Sequence, residues 1–127
     1  MIRLIQRRLI IPRGDTGSFT IPLQGTVEED DAIMFFIYDP MTKKQVSYIK
    51  GEVDEDIITI NFTSDKTADL EPRRYYWDIV IYKNPKYEEG DEENHELPPI
   101  DGTEINSYYA AFSLPICEIK EVARNVQ

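Results

Sequence analysis

The sequence predicts an all-β fold, an immunoglobulin-like antiparallel β-sandwich of about seven to eight strands. Three observations carry that expectation. Short runs of β-branched and aromatic residues alternate with period two. Clusters of Pro, Gly, Asp and Asn separate them at turn-like spacing. No stretch keeps a helical period over several turns. The strongest run is Tyr75–Tyr82, in which Tyr75, Trp77, Ile79 and Ile81 fall on one uncharged face and Tyr76, Asp78, Val80 and Tyr82 on the other. The first face carries the only tryptophan and is expected to point into the core, with Tyr76 and Tyr82 facing outward.

Taken in order, Met1–Ile11 mixes aliphatics with Arg3, Arg7 and Arg8 and reads as an edge strand whose positive charge discourages stray pairing. Pro12–Gly17 is a turn. Ser18–Leu23 places Phe19, Ile21 and Leu23 on one face, and Pro22, which cannot donate to a ladder, puts the strand at an edge or ends it there. Gln24–Asp31 is a polar loop ending in four acids. Ala32–Tyr38 is apolar on both faces, so it is either central or lends one face to another subunit. Lys44–Lys50 and Ile57–Phe62 alternate, the second with Ile58, Ile60 and Phe62 inward, and Gly51–Asp56 between them is acidic and turn-like. Ser64–Leu70 allows one helical turn, placed as a crossover between sheets would be.

Asn84–Gly102 is a long acidic loop around His95, of a length that is normally functional or mobile. Thr103–Leu114 is the last clear strand, with Tyr108, Ala110, Phe112 and Leu114 on one face. Beyond Pro115 a strand (Cys117, Ile119, Glu121) competes with an amphipathic helix (Ile119, Val122, Ala123, Val126), and the reading leans to a short strand. A sandwich of this kind often carries a corner tyrosine at the start of its late central strand, and Tyr75 and Tyr76 are the candidates.

The 127 residues fit one domain, 1–127, and 41% hydrophobic content is too high for a disordered chain. A formal net charge of −10 disfavours nucleic acid, which needs clustered Lys and Arg. No apolar run is long enough to cross a bilayer, and the opening residues lack the core of a signal peptide, so synthesis and folding in a host cytoplasm are expected. One cysteine, Cys117, allows no internal disulfide and no thiolate cluster.

No catalytic residue is assigned. His95 reads as a solvated loop residue, Cys117 as a structural thiol, and no nucleophile elbow, phosphate loop or metalloprotease signature occurs. No metal or cofactor is assigned either. The acidic groups Glu28–Asp31, Asp54–Asp56 and Glu88–Glu96 lack calcium-loop spacing and read as solvated loops. Arg13-Gly14-Asp15 is explained by turn chemistry better than by integrin recognition. The aromatics remain: Phe35, Phe36, Tyr76, Tyr82, Tyr108 and Tyr109 are the candidate partner contacts, with sugar stacking as the alternative.

Several segments carry a resemblance. Arg13-Gly14-Asp15-Thr16-Gly17-Ser18-Phe19-Thr20-Ile21 after an opening strand, the apolar strand and turn Ile33–Asp39, Leu70-Glu71-Pro72-Arg73-Arg74-Tyr75-Tyr76-Trp77-Asp78-Ile79, and the closing strand Ala111-Phe112-Ser113-Leu114 before Glu118–Arg124 resemble phage and prophage proteins of Gram-positive bacteria with immunoglobulin-like or baseplate-upper-protein-like domains. Arg73 stands where glycine is usual in that group, and the acidic loop Glu88–Glu96 is longer. The resemblance implies a non-catalytic virion part of tail, baseplate or head fibre that binds other virion proteins or itself, with a carbohydrate- or cell-surface-binding module as the alternative.

Overall fold

The computed structural model describes residues 1–87, 98–99, 104–107 (backbone path) and 115–122. Among these residues the strands are β1 (Arg3–Ile5), β2 (Arg8–Pro12), β3 (Gly17–Pro22), β4 (Ala32–Tyr38), β5 (Gln45–Lys50), β6 (Glu52–Asp54), β7 (Ile57–Phe62), β8 (Arg74–Lys83), β9 (Glu104–Ser107) and β10 (Ile116–Lys120), with a 3-10 turn at Ser64–Lys66. They form two sheets. One runs β1-β2-β10-β8-β4-β5, with β9 also pairing β8; the other runs β3-β7-β6. The chain is therefore the all-β sandwich that period-two alternation predicts. Its core order, β3-β7-β6 facing β10-β8-β4-β5, is the B-E-D against G-F-C-C′ plan of immunoglobulin domains.

Tyr75–Tyr82 is central as expected. β8 pairs along its full length with β4, Ala32↔Tyr82 through Tyr38↔Tyr76, and along its other edge with β10. β9 pairs with Val80–Lys83, where β4 already holds one edge, so it shares the edge that β10 uses. The expected strand Thr103–Leu114 is observed as Glu104–Ser107; 108–114 lie outside the described residues. Ile116–Lys120 is a strand, so the strand reading of that segment holds for the residues described.

Four expectations need correction. Met1–Ile11 is not one strand but a hairpin, β1 with β2, turned at Gln6 in the left-handed region (φ 57°). The sandwich is not wholly antiparallel, because β2 lies parallel to β10. Two strands so distant in the chain need no local crossover, so neither direction is excluded. Glu52–Asp54 is a short edge strand rather than a turn, and its two acids blunt that edge. The fourth concerns the outer face of β8. It is not open: Asp78, Val80 and Tyr82 are buried, and Tyr76 is half-buried.

The core explains why the two sheets close. Trp77 and Phe35 from the large sheet meet Phe19 and Phe62 from the small one, with Phe19–Trp77 centroids 5.6 Å apart edge-to-face and Phe35–Phe62 5.4 Å apart. Around them pack Leu9, Ile11, Ile37, Ile58, Ile60, Ile79 and Ile119. The Trp77 indole N–H donates to the Arg7 carbonyl at 3.1 Å, which ties the first hairpin onto the core. In disulfide-bonded immunoglobulin domains the second cysteine stands two residues after the corner tyrosine and bridges to strand B. Here Tyr75 is that corner and Trp77 stands in the cysteine's place, against Phe19 of β3. A packed aromatic pair joins the sheets where such domains use a covalent bond.

Of the two tyrosines the sequence offered for the corner, the structure selects Tyr75. Its hydroxyl donates to the Glu71 carbonyl at 2.9 Å and receives the Arg73 Nε–H at 3.3 Å, under the Arg73 guanidinium. Tyr75→Phe keeps the packing and removes both hydrogen bonds of the hydroxyl, whose partners Glu71 and Arg73 are exposed and can turn to water. We expect a loss of about 1 kcal/mol, read as a lower urea midpoint with an unchanged slope.

Candidate interaction surface

The expected contact residues first need placing. Phe35 and Phe36 have no exposed surface: Phe35 is in the main core, and Phe36 belongs to a second apolar cluster with Ala32, Met34, Val80 and Tyr82 on the opposite face of the same sheet. Ala32–Tyr38 is thus the central strand of the two alternatives, covered on both faces within this chain. Tyr82 is buried there too. Tyr76 is half-buried, and the Lys43 ammonium lies 5.2 Å from its ring centroid, which occupies one stacking face. Tyr108 and Tyr109 lie outside the described residues, as does His95. No four of these aromatics form one exposed platform among the described residues.

The second cluster has an electrostatic signature. Burial, then the charge of Asp78 and the neighbouring Tyr82, push the Tyr38 phenol up to about 12. The folded protein therefore holds a proton that the unfolded chain releases above pH 10, and stability falls as pH rises from 10 towards 12. Tyr38→Phe removes the titrating group. We expect its denaturation midpoint to fall less steeply than wild type across that interval, measured by urea titration at fixed ionic strength.

The remaining chemistry-bearing groups hold the fold. The Cys117 thiol is buried on β10, and burial pushes its pKa up, away from thiolate reactivity. Arg13-Gly14-Asp15 is a turn with Gly14 at φ +76°; its amide donates to Thr67 Oγ1 at 2.8 Å, Arg13 faces Glu121 at 3.6 Å and Asp15 faces the Met1 ammonium at 3.0 Å. Asp39 closes the β4–β5 turn, accepting from the Met41 and Thr42 amides and from Arg73; those amides, with the Arg73 charge, hold its carboxyl below the usual range. Burial would raise Asp31, but the Lys83 ammonium at 2.6 Å and the Glu28 amide outweigh it. Among the described residues no three His, Cys or carboxylate side chains converge as a metal site would require. No helix of the described residues is long and apolar enough to cross a membrane.

One exposed surface stands out, and it was not among the expected sites. On the outer face of β1-β2-β10-β8, cross-strand register sets Arg3 beside Ile10, Ile10 beside Glu118, and Glu118 beside Arg74. The next row carries Ile5 beside Arg8, then Ile116 beside Tyr76. Glu118 sits at the centre with its side chain only 8% exposed. Lys120 Nζ lies 2.8 Å from its Oε2, Arg74 Nε 3.8 Å from its Oε1, and Arg8 pairs with Oε1 as well. The three cations themselves are exposed. Ile5 is half exposed, while Ile10 and Ile116 form a half-covered floor. Among the described residues, Arg3, Arg8, Arg74 and Lys120 surround the single carboxylate of Glu118, the other acid of this face, Asp78, being buried farther along β8, on a chain of net charge −10. Arginine is enriched at protein-contact surfaces, and here it stands beside exposed apolar area.

Eight described acids cluster elsewhere. The Gly51 amide donates to the Ile33 carbonyl and the Leu23 amide to the Asp56 carbonyl, which gathers the β3–β4 loop, the β5–β6 corner and the β6–β7 turn at one end of the sandwich. A Cβ on Gly51 would come within 3.0 Å of Ile33 and 3.1 Å of Ile60, so a side chain there would make both isoleucines give way. Glu28, Glu29, Asp30, Asp31, Glu52, Asp54, Glu55 and Asp56 all belong to that end. A shallow groove there, between loop and corner, has Val27, Ile33 and Val53 as its apolar lining and Glu28, Glu29, Asp31 and one cation, Lys50, on its wall. No protein-family model, curated protein or solved structure matches the chain.

Proposed function

We propose that this is a non-catalytic structural or adaptor domain that works by binding other proteins, and, following the sequence resemblance, that it is a phage or prophage virion component of the tail, baseplate or head fibre. The observation that supports docking is the cationic, isoleucine-floored outer face of β1-β2-β10-β8. Its arginines are exposed, its centre is a carboxylate already neutralised, and it leaves apolar surface at Ile5 open. Such a face offers shape, charge and apolar area without a nucleophile or a general base. The partner surface should be acidic, and the contact weaker at high salt.

The test is co-expression of the chain with the proteins encoded by the genes flanking its own. A salt-sensitive complex with a tail, baseplate or head protein, lost in Arg74→Glu, is the expected result. Flanking genes unrelated to virions, with none of their products bound, would remove the virion reading.

A further inference from the structure

We infer that the partner for the cationic face is a second copy of this chain, docked head to tail: the face around Glu118 of one copy meets the acidic groove at the Gly51 end of the next. The inference rests on the docking reading above and adds the occupant and the geometry. Its argument is charge and surface complementarity within one chain. The face carries Arg3, Arg8, Arg74 and Lys120 around one carboxylate and exposes Ile5. The groove carries Glu28 and Glu29 around Val27 and Val53, the latter 38% exposed; Asp31 there is held by Lys83, and Lys50 is the one cation of the lining, so the two glutamates make it acidic. Cations with an apolar floor on one side answer carboxylates with an apolar floor on the other.

The two surfaces cannot satisfy each other within a molecule. Arg74 opens β8 and Lys83 closes it beside Asp31 and Thr26, nine steps along one strand, or roughly 30 Å at about 3.3 Å per residue. The patches therefore occupy different ends and faces, and a contact between them is heterologous. Such a contact makes a ring if the rotation closes and a filament if it does not. A pairing of the cationic face with itself would set like charges opposite one another, which disfavours a two-fold dimer through that face. The net charge of −10 opposes close approach at long range, so the contact is short-ranged and needs the local complementarity.

The experiment uses two variants of the whole chain, each checked for an unchanged fold by circular dichroism. The face variant is Arg8→Glu/Arg74→Glu; the groove variant is Glu28→Lys/Glu29→Lys, in an exposed loop. Light scattering of wild type at low salt should show mass rising with concentration, collapsing to monomer at about 1 M salt, where the screening length is about 3 Å. Each variant alone should be monomeric, with association weakened at least about tenfold. Mixed, they should associate again, because the face variant keeps a sound groove for the groove variant's sound face, and the two reversed surfaces are themselves opposite in charge.

If Arg8→Glu/Arg74→Glu fails to fold, Ile5→Gln with Arg74→Glu takes its place. A wild type that stays monomeric at low salt overturns the inference, as does a groove variant that still self-associates. Nucleic-acid binding lost in the face variant, with the chain monomeric throughout, overturns it in favour of a phosphate partner. Failure here leaves binding to a flanking-gene product intact, so the two readings fail separately.

Discussion

Trp77→Ala is expected to remove about 3–5 kcal/mol, a large part of the roughly 5–15 kcal/mol that holds a domain of this size together. The size follows from where the indole sits. It is wholly buried on the central strand, touches Phe19 across the sheets and Phe35 beside it, and donates its N–H to the Arg7 carbonyl. Truncation leaves a cavity that the two stiff rings beside it cannot refill, and it releases the first hairpin from the core. No disulfide limits the damage, because the one cysteine is Cys117 on β10. Thermal unfolding should shift down by about 10–20 °C. Trp77→Phe separates the two causes: it keeps most of the packing and loses the indole hydrogen bond, so a drop of about 1–2 kcal/mol is expected. A Trp77→Ala protein that melts within a few degrees of wild type would mean that the sandwich is not closed on this residue.

The inner layer was legible because its signal is local. Alternation over Tyr75–Tyr82, Ser18–Leu23 and Ile57–Phe62 is a property of consecutive residues, and each run buries the face it marks. The same local signal misled on the outer face of β8. Asp78 and the flanking tyrosines read as polar rim, yet Asp78 and Tyr82 are buried; amphipathic side chains go to either side of a sheet, and what lies over them is set by distant chain. The first hairpin was missed for want of a turn signal. Gln6 takes the left-handed conformation with neither glycine nor proline beside it. Glu52–Asp54 was missed because three residues with two acids carry no period.

The candidate surface had no local signature at all. Arg8, Arg74 and Lys120 come from three separate parts of the chain and meet only because β2 joins β10 in parallel and β10 joins β8. Net charge pointed the wrong way, since a total of −10 says nothing of a face where four cations surround one carboxylate. Reasoning from composition treats charge as a sum, while a partner meets it as an arrangement.

Glu118→Lys tests that arrangement most severely. The carboxylate is nearly covered and has Arg8, Arg74 and Lys120 within 4 Å, so the substitution places a fourth cation among three at a site water barely reaches. Stranding a covered charge without a partner costs about 3–5 kcal/mol, and the lower end is expected because the three original cations can swing out into solvent. Glu118→Leu is the milder control: it removes the buried charge instead of reversing it and leaves three exposed cations in mutual repulsion, for a loss of about 1–2 kcal/mol. The informative readout is the sign of the salt dependence. In wild type, added salt screens an attraction and should lower the local contribution to stability. In Glu118→Leu and Glu118→Lys only repulsion remains to be screened, over separations shorter than the screening length of about 10 Å at 0.1 M, so added salt should raise stability. Denaturation midpoints in urea across a sodium chloride series report that sign directly. If all three proteins respond to salt alike, the cations do not share one field around Glu118, and the face loses the feature that recommends it as a docking surface.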